Sequence, residues 1–200
     1  MLKKYFIGSS MNLIKKKYPG YTETELEKIE YGLVGAYLLI PKLIIILIVG
    51  HFIGMLSEIL IFMIIHMFMK MHTFGLHTKK SWTCFLISLI LFIIVPWLAL
   101  NAEISSVMKC VIGVISICLI YKNCPADTHK RPIINPTKRK IHKILATLTA
   151  VIFVILSITL NNSLVANLLL FSLTIQTIFT SPVTYTLLKL PHDNYLRYSN

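Results

Sequence analysis

The sequence predicts an all-α polytopic membrane protein with about six transmembrane helices and an amphipathic interfacial helix at its N-terminus. Hydrophobic residues make up 56% of the chain and charged residues only 14%, whereas about a quarter of the residues in a soluble domain are charged. The apolar residues form continuous stretches, longer than the alternating strands of about ten residues expected of a membrane barrel. Helices are therefore the expected spanning elements, because they satisfy their own backbone hydrogen bonds in lipid.

The first predicted element is the amphipathic helix, which lies within residues 1–30. Six lysines are interleaved with apolar residues there, a pattern typical of a helix that lies on a membrane surface. Pro19 and Gly20 end this helix. Thr22, followed three residues later by Glu25, is a capping-box signature that opens a second helix running towards the membrane.

Six apolar stretches follow, each long enough to cross a hydrocarbon core of about 30 Å. They cover residues 33–49, 53–69, 82–100, 104–121, 143–160 and 164–181. The predicted organisation has three parts: a cytoplasmic or interfacial segment at 1–30, a transmembrane domain at 31–188 and a cytoplasmic tail at 189–200.

The basic residues predict the orientation of these spans. Of the 20 Lys and Arg residues, 18 lie in the N-terminal segment, residues 70–81, residues 122–143 and the tail. The turns between those segments hold none. Because basic loops stay in the cytoplasm, both termini should be cytoplasmic. The formal net charge of +12 favours anionic lipid or an acidic partner, and we expect no nucleic acid.

Two charged residues interrupt the first two spans and lead to an alternative function. Lys42 and Glu58 lie at depths where they could meet at mid-membrane, and pairing would offset the cost of each charge in lipid. Together with His66, they could instead form the relay of a small secondary transporter or ion-coupled carrier.

Residues 70–84 hold the chemically richest side chains of the chain. A cysteine becomes a useful nucleophile when a base or a positive field favours its thiolate, and His77 precedes Cys84 by seven residues. In one continuous helix their Cα atoms would be about 10.5 Å apart, so we expect a bend, with Gly75 supplying the freedom and a turn at 79–81. Three lysines also belong to this segment: Lys70, Lys79 and Lys80. The alternative is an interfacial histidine beside an inert cysteine.

The remaining cysteines indicate neither a disulfide framework nor a metal site. They show no CxxC pairing and no zinc spacing with histidines, so we expect no metal and no cofactor. Cys110 and Cys118 lie within an apolar span, where they are packing or lipid-facing residues. Cys124 precedes Pro125 in a polar loop, and we expect it to be accessible.

Three blocks of residues carry a resemblance to a known family. They are Glu30-Tyr31-Gly32, then Gly75-Leu76-His77 with Cys84, and finally Cys124-Pro125-Ala126-Asp127 with Pro132 and Lys138-Arg139-Lys140. Over nearly its whole length the chain resembles the accessory gene regulator B (AgrB) family. Members of this family are membrane endopeptidases that process the quorum-sensing propeptide AgrD in Gram-positive bacteria.

The resemblance implies a cysteine endopeptidase in which Cys84 is the nucleophile and His77 the general base and acid. An AgrD-like propeptide would present its acidic C-terminal portion to the cytoplasmic basic segments and lose that portion, leaving an acyl-enzyme thioester on Cys84. An internal cysteine or serine of the propeptide would then close a thiolactone or lactone macrocycle. Substrate-binding or supporting roles fall to Lys70, Gly75, Lys79, Lys80, Asp127, Lys138, Arg139 and Lys140.

Two of these supporting residues leave questions open. Family members usually carry Arg where Lys70 stands, and Lys lacks the bidentate fork of Arg. Asp127 would orient His77 if its loop folded over the site, and it would otherwise be a solvated loop aspartate.

The resemblance also implies a multi-pass protein of the cell membrane of a Gram-positive bacterium. Membrane lipid is an expected partner, and dimers are commonly associated with the family. A third functional class is a membrane scaffold that only binds an amphipathic peptide, and it survives only if Cys84 is dispensable.

Overall fold

The computed structural model describes residues 2–75, 81–127 and 132–198, which are helical almost throughout. The α-helices are α1 (Leu2–Lys17), α2 (Glu23–Phe52), α3 (Leu56–Thr73), α4 (Ser81–Asn101), α5 (Ser106–Asn123), α6 (Pro136–Thr159), α7 (Ser163–Thr180) and α8 (Pro182–Leu187). A 3-10 helix follows at Asn194–Tyr198. Helices α2 to α7 are long and apolar enough to cross a membrane, which confirms the predicted all-α polytopic fold.

Residues Met1–Val49 form one compact unit. The predicted capping box opens α2: the backbone N–H of Thr22 donates to Glu25 Oε2 at 2.8 Å, and that of Glu25 donates to Thr22 Oγ1 at 3.4 Å. The rings of Phe6 and Tyr37 bring α1 and α2 together, with centroids 5.6 Å apart. Since α2 runs unbroken from Glu23 to Phe52, the boundary predicted after residue 30 falls inside a helix.

Residues Gly50–Asn200 form the second unit, and α7 is its central helix. α7 packs against α3, α4, α5 and α6, and ten of its 18 residues are buried. Leu173 of α7 joins Met69, Ile120 and Phe153 in one core cluster. The outer faces of the other helices carry exposed Ile, Leu, Val and Phe side chains, as expected where helices face lipid.

Hydrogen bonds hold together the two ends of this second unit. At one end Asn167, near the start of α7, donates to the carbonyl oxygens of Ala99 at 3.1 Å and Ala102 at 2.8 Å. At the other end the segments that follow α3 and α5 lie beside the end of α7. Within this unit, the basic segments at 70–75 and 122–127 therefore share one end, in agreement with the predicted alternation of the spans.

The orientation of the spans can be tested by cysteine labelling in intact cells. A membrane-impermeant thiol reagent should label cysteines introduced at Asn101 and Asn162 but not at Lys79 or Lys138, because basic segments stay in the cytoplasm. The native cysteines are first replaced, and permeabilised cells provide the control in which all four sites react. Labelling at Lys138 from outside would overturn the six-span topology.

Glu58 lies nearer the end of its span than the sequence predicted. Because α3 begins at Leu56, Glu58 is in its first turn, where it accepts a hydrogen bond from Ser57 Oγ at 2.9 Å. His66 is buried two turns further on, with Nδ1 3.2 Å from Ser172 Oγ. Eight residues of helix separate Glu58 and His66 by about 12 Å, so a proton could pass between them only through an intervening group. The pairing of Lys42 with Glu58 stays a prediction.

Candidate functional site

The chain turns at the end of α3, at the glycine that the sequence predicted would give freedom for a bend. Phe74 follows the last helical residue with φ 58° and ψ −109°, and its N–H donates to the carbonyl of Lys70 at 3.1 Å. Gly75 comes next with φ 94°, a conformation that glycine adopts at little cost. The turn predicted at 79–81 lies largely outside the described residues, as do His77, Lys79 and Lys80.

Aromatic packing supports the unusual backbone of Phe74. A phenylalanine with positive φ is strained and persists only where its surroundings hold it. The ring of Phe74 meets that of His142 of α6 edge to face, with centroids 4.9 Å apart. The ring of His72 lies 5.8 Å from that of His142. Helix α6 thus braces the start of the segment that carries the predicted catalytic residues.

The loop after α5 pairs with this turn through two backbone hydrogen bonds. The N–H of Gly75 donates to the carbonyl of Ala126 at 2.9 Å, and the N–H of Ala126 donates to the carbonyl of Thr73 at 3.0 Å. Together they form a parallel bridge between Phe74 and Ala126. Two of the three sequence blocks, separated by about forty residues of α4 and α5, therefore meet in space.

Helix α7 closes the other side of the turn through Gln176, a residue that sequence reasoning missed. Gln176 Nε2 donates to the carbonyl of Phe74 at 2.7 Å, and its side chain is fully buried. A Cβ atom at position 75 would lie 3.1 Å from Gln176 Nε2 and 3.2 Å from the carbonyl oxygen of Phe179. The signal was present, since a side-chain amide within an apolar span marks a functional or structural contact.

Cys84 lies in the first turn of α4, three residues after the helix begins at Ser81. Its side chain is half-buried, and it interacts electrostatically with the exposed Lys70 in the last turn of α3. The N-terminal end of a helix also carries a partial positive charge. In general, a positive charge nearby and the N-terminal end of a helix favour the thiolate of a cysteine, which is the state in which a cysteine attacks a carbonyl carbon.

Cys124 is buried, so the prediction that it is accessible is wrong. Only 4% of the residue is exposed, and its N–H donates to the carbonyl of Ile120 at the end of α5. Burial raises the pKa of its thiol to about 12, so this thiol stays protonated at neutral pH. Cys124 is therefore a packing residue in the loop that supports the bend.

Asp127 is also buried, which contradicts the alternative of a solvated loop aspartate. Its Oδ1 accepts the N–H of Asn194 at 2.9 Å and its Oδ2 accepts the N–H of Tyr195 at 2.8 Å. Arg139 Nη1 lies 3.6 Å from Oδ2, and the Tyr185 hydroxyl donates to the Asp127 carbonyl at 3.3 Å. The pKa of Tyr185 is raised mainly by burial and, to a smaller extent, by the negative charge of Asp127. The C-terminal tail is thereby fastened to the loop that pairs with Gly75.

A cavity of about 560 Å³ lies beside this fastened tail. Its basic lining residues are Lys122, Arg139, Lys140, Lys143 and His192. Of the predicted supporting residues, Arg139 and Lys140 thus reach a common cavity. Lys138 is not part of its lining, and its backbone N–H donates to Asn135 Oδ1 at the N-cap of α6 at 3.1 Å.

Comparison with known proteins identifies the family. The chain matches the family model of accessory gene regulator B over residues 8–180. An AgrB-like protein of Clostridium acetobutylicum is 25% identical over 174 residues, which cover 87% of this chain and 83% of the relative. An AgrB-like protein of Listeria monocytogenes is 28% identical over 173 residues, with 86% and 84% covered.

A shorter match reaches accessory gene regulator protein B of Staphylococcus carnosus, with 36% identity over 83 residues that cover 42% of this chain and 43% of the relative. No solved structure matches the chain. Because the family model spans α2 to α7 and the paired loops described above, this chain belongs to the accessory gene regulator B family and is a multi-pass membrane component of that quorum-sensing system.

Proposed function

We propose that this protein is a membrane cysteine endopeptidase that cleaves the C-terminal part of an AgrD-like propeptide and promotes closure of a peptide macrocycle. The observation that carries the proposal is the setting of Cys84, which lies in the first turn of α4, at the positive end of that helix, and within electrostatic reach of Lys70. His77 is the general base and acid. The membership of the chain in the AgrB family supports the choice of substrate.

The chemistry begins with attack by the Cys84 thiolate on a backbone carbonyl carbon of the propeptide. A carbon–sulfur bond forms, the scissile carbon–nitrogen bond breaks, and His77 protonates the departing amine as the C-terminal fragment leaves. The remaining fragment is held as a thioester. An internal cysteine or serine of the propeptide then gives its proton to His77 and attacks this thioester, which closes the ring and returns Cys84 as a thiolate.

A cysteine nucleophile suits the second step for an energetic reason. Exchange of a thioester for a thiolactone breaks and forms the same type of bond, so the step is nearly isoenergetic. Cyclisation can then compete with hydrolysis if water is kept from the acyl group. The half-buried position of Cys84 supports such protection.

The contacts of the bend support a positioning role for residues 73–75. The loop at 124–127 and Gln176 hold this end of the connection, while Ser81 starts α4 at the other end. Five residues, including His77, lie between these two held points. A base must come within hydrogen-bond reach of its nucleophile, so the proposal requires the connection between these held points to bring His77 to Cys84.

The test uses purified protein in liposomes with its cognate propeptide. Mass spectrometry should find the released C-terminal fragment, together with a propeptide adduct whose mass corresponds to a thioester on Cys84. Hydroxylamine, which cleaves thioesters, should remove the adduct. Release of the fragment by protein in which Cys84 is replaced by alanine would refute the proposal.

The cytoplasmic orientation of the site, the lipid contact and the homodimer stay predictions.

Gly75→Ala should lower propeptide cleavage about tenfold or more, since a Cβ at positive φ is strained and would press on Gln176 and the Phe179 carbonyl. Gly54→Ala is the matched control, because Gly54 also has positive φ but a Cβ added there would meet nothing within 4 Å. The measurement is kcat/KM for cleavage beside a thermal melt in detergent. Equal activity of the two variants would show that the bend does not position the site.

A further inference from the structure

Helix α7 carries a row of three buried polar side chains, although it is apolar enough to cross a membrane. Ser172, Gln176 and Thr180 are buried and follow one another at intervals of four residues, which places them on one face of the helix. Ser172 Oγ lies 3.2 Å from Nδ1 of His66 in α3. Gln176 Nε2 donates to the carbonyl of Phe74, just after α3. The polar row of α7 therefore meets both α3 and the turn that follows it.

Polar contacts of this kind set the position of one membrane helix against another. Lipid tails are as apolar as the side chains of the helices, so the hydrophobic effect does little to hold two spans together in one register. Close packing and hydrogen bonds between helices do so instead. The bond of 2.7 Å from Gln176 to the Phe74 carbonyl thus fixes where the turn lies along α7.

The side chain of Gln176 acts on this turn through one hydrogen bond. Its Oε1 atom has no hydrogen-bond partner in the part of the chain that the structure describes, so donation from Nε2 to Phe74 is its polar contribution there. Phe74 has a φ of 58°, which is strained for a residue that carries a Cβ atom. Gln176 therefore helps to hold a turn that the backbone would not adopt unaided.

The turn is close in sequence to the proposed general base. His77 follows Gly75 by two residues, so chain length alone keeps its Cα atom within about 7 Å of the Cα atom of Gly75. The direction in which the chain leaves Gly75 consequently limits the space that His77 can occupy. A base works only within about 2.6–3.2 Å of the atom that it deprotonates. A small shift of the turn would therefore be felt at Cys84.

We infer that Gln176 is a positioning residue of the proposed reaction and that it acts through the Phe74 carbonyl. It sets the turn from which the next segment departs, and so the approach of His77 to Cys84. The inference rests on the proposed function, which names those two catalytic residues. Since Gln176 contacts no reacting atom in this scheme, its loss should change the reactivity of Cys84 and the turnover rate more than the binding of propeptide.

Gln176→Met tests the inference, because it keeps a side chain of similar length and removes the donor. In full-length protein in liposomes, iodoacetamide at pH 7 should alkylate Cys84 about threefold or more slowly than in the parent, because a nearby histidine raises the thiolate fraction of a cysteine. Mass spectrometry of the peptide that contains Cys84 gives the rate. In the propeptide assay, kcat should fall about tenfold or more while KM changes less than about twofold.

Asn167→Leu is the matched control, because it removes a buried amide from the other end of the same helix. Asn167 donates to the carbonyl oxygens of Ala99 and Ala102. The variant should lower the melting temperature in detergent at least as much as Gln176→Met does, yet it should keep the parental alkylation rate of Cys84 and the parental kcat. This comparison separates positioning from a general loss of stability.

Two results would overturn the inference: an alkylation rate of Cys84 in Gln176→Met equal to that of the parent, or an equal loss of rate in Gln176→Met and Asn167→Leu. If Gln176→Met does not fold, Gln176→Asn provides the same comparison. Its amide stays polar, but the donor would fall short of the Phe74 carbonyl by the length of one carbon–carbon bond, about 1.5 Å.

Failure of the inference and failure of the proposed function give different results. Slower alkylation of Cys84 in Gln176→Met, in a protein that forms no thioester with propeptide, would remove the peptidase proposal and leave the positioning effect standing. Cleavage that depends on Cys84 but is unchanged in Gln176→Met would overturn the inference and leave the peptidase proposal standing.

Discussion

Cys84→Ser should lower propeptide cleavage about a thousandfold or more, as the loss of other catalytic nucleophiles does. The substitution keeps nearly the same volume in the first turn of α4, so folding and propeptide binding should persist. An ordinary thiol has a pKa of about 8.5, whereas an alcohol ionises negligibly without a strong base. A single histidine near the membrane surface would activate the alcohol poorly. Cleavage kinetics in liposomes, with a binding assay alongside, measure the two effects.

His77→Ala should be inactive to a similar degree, and the two losses should not add in the double variant, because base and nucleophile act as a unit. The other cysteines are the controls. Cys124→Ala should keep substantial cleavage, since a thiol with a pKa raised to about 12 supplies no nucleophile at neutral pH. Cys110→Ala and Cys118→Ala should also keep it, because both cysteines lie exposed along α5. Full cleavage by Cys84→Ala would contradict the peptidase proposal and favour the transporter alternative.

Asp127→Ala should release the C-terminal tail and destabilise the fold by about 3 kcal/mol or more, as expected when one partner of a buried ion pair is removed. The change leaves the N–H groups of Asn194 and Tyr195 without their acceptors and Arg139 without its carboxylate. Thermal melts in detergent and limited proteolysis of the tail measure the effect. Cleavage should fall as well, since the loop of Asp127 braces the bend at Gly75.

Asp127→Asn should give an intermediate result, because the amide keeps one of the two acceptor oxygens. Glu103→Gln is the control, since Glu103 is an exposed carboxylate in the turn between α4 and α5, at the other end of this unit. A variant Asp127→Ala that melts like the parent, with its tail still protected from protease, would show that this carboxylate does not hold the tail.

Local sequence patterns predicted the helices well. The apolar runs placed α2 to α7, and the spacing of Thr22 and Glu25 predicted the hydrogen-bonded start of α2. Gly75 was expected to give the chain conformational freedom, and it adopts a positive φ after the end of α3. These features depend on residues within a few positions of one another. The interactions that form them are therefore visible in a short stretch of sequence.

The predictions that were wrong concern burial and partners. Cys124 and Asp127 both lie in a polar loop, which suggested exposure, but α7 and the tail cover them. The partners of Asp127 are 67 and 68 residues away, and Gln176 is 102 residues from the carbonyl that it binds. Nothing in the neighbourhood of Asp127 or Phe74 along the chain indicates those partners.

The sequence by itself determined the class of the protein and the number of its apolar spans, and it singled out Cys84 as the predicted nucleophile. Only the tertiary structure decided that α7 is central in its unit, that the loop at 124–127 pairs with the bend, and that a basic cavity lies beside the tail. The physical reason is that lipid-facing and core-facing side chains are equally apolar, so hydrophobicity reports insertion but not which face packs inward. Which face packs inward is decided by helix packing and by a few long-range polar contacts.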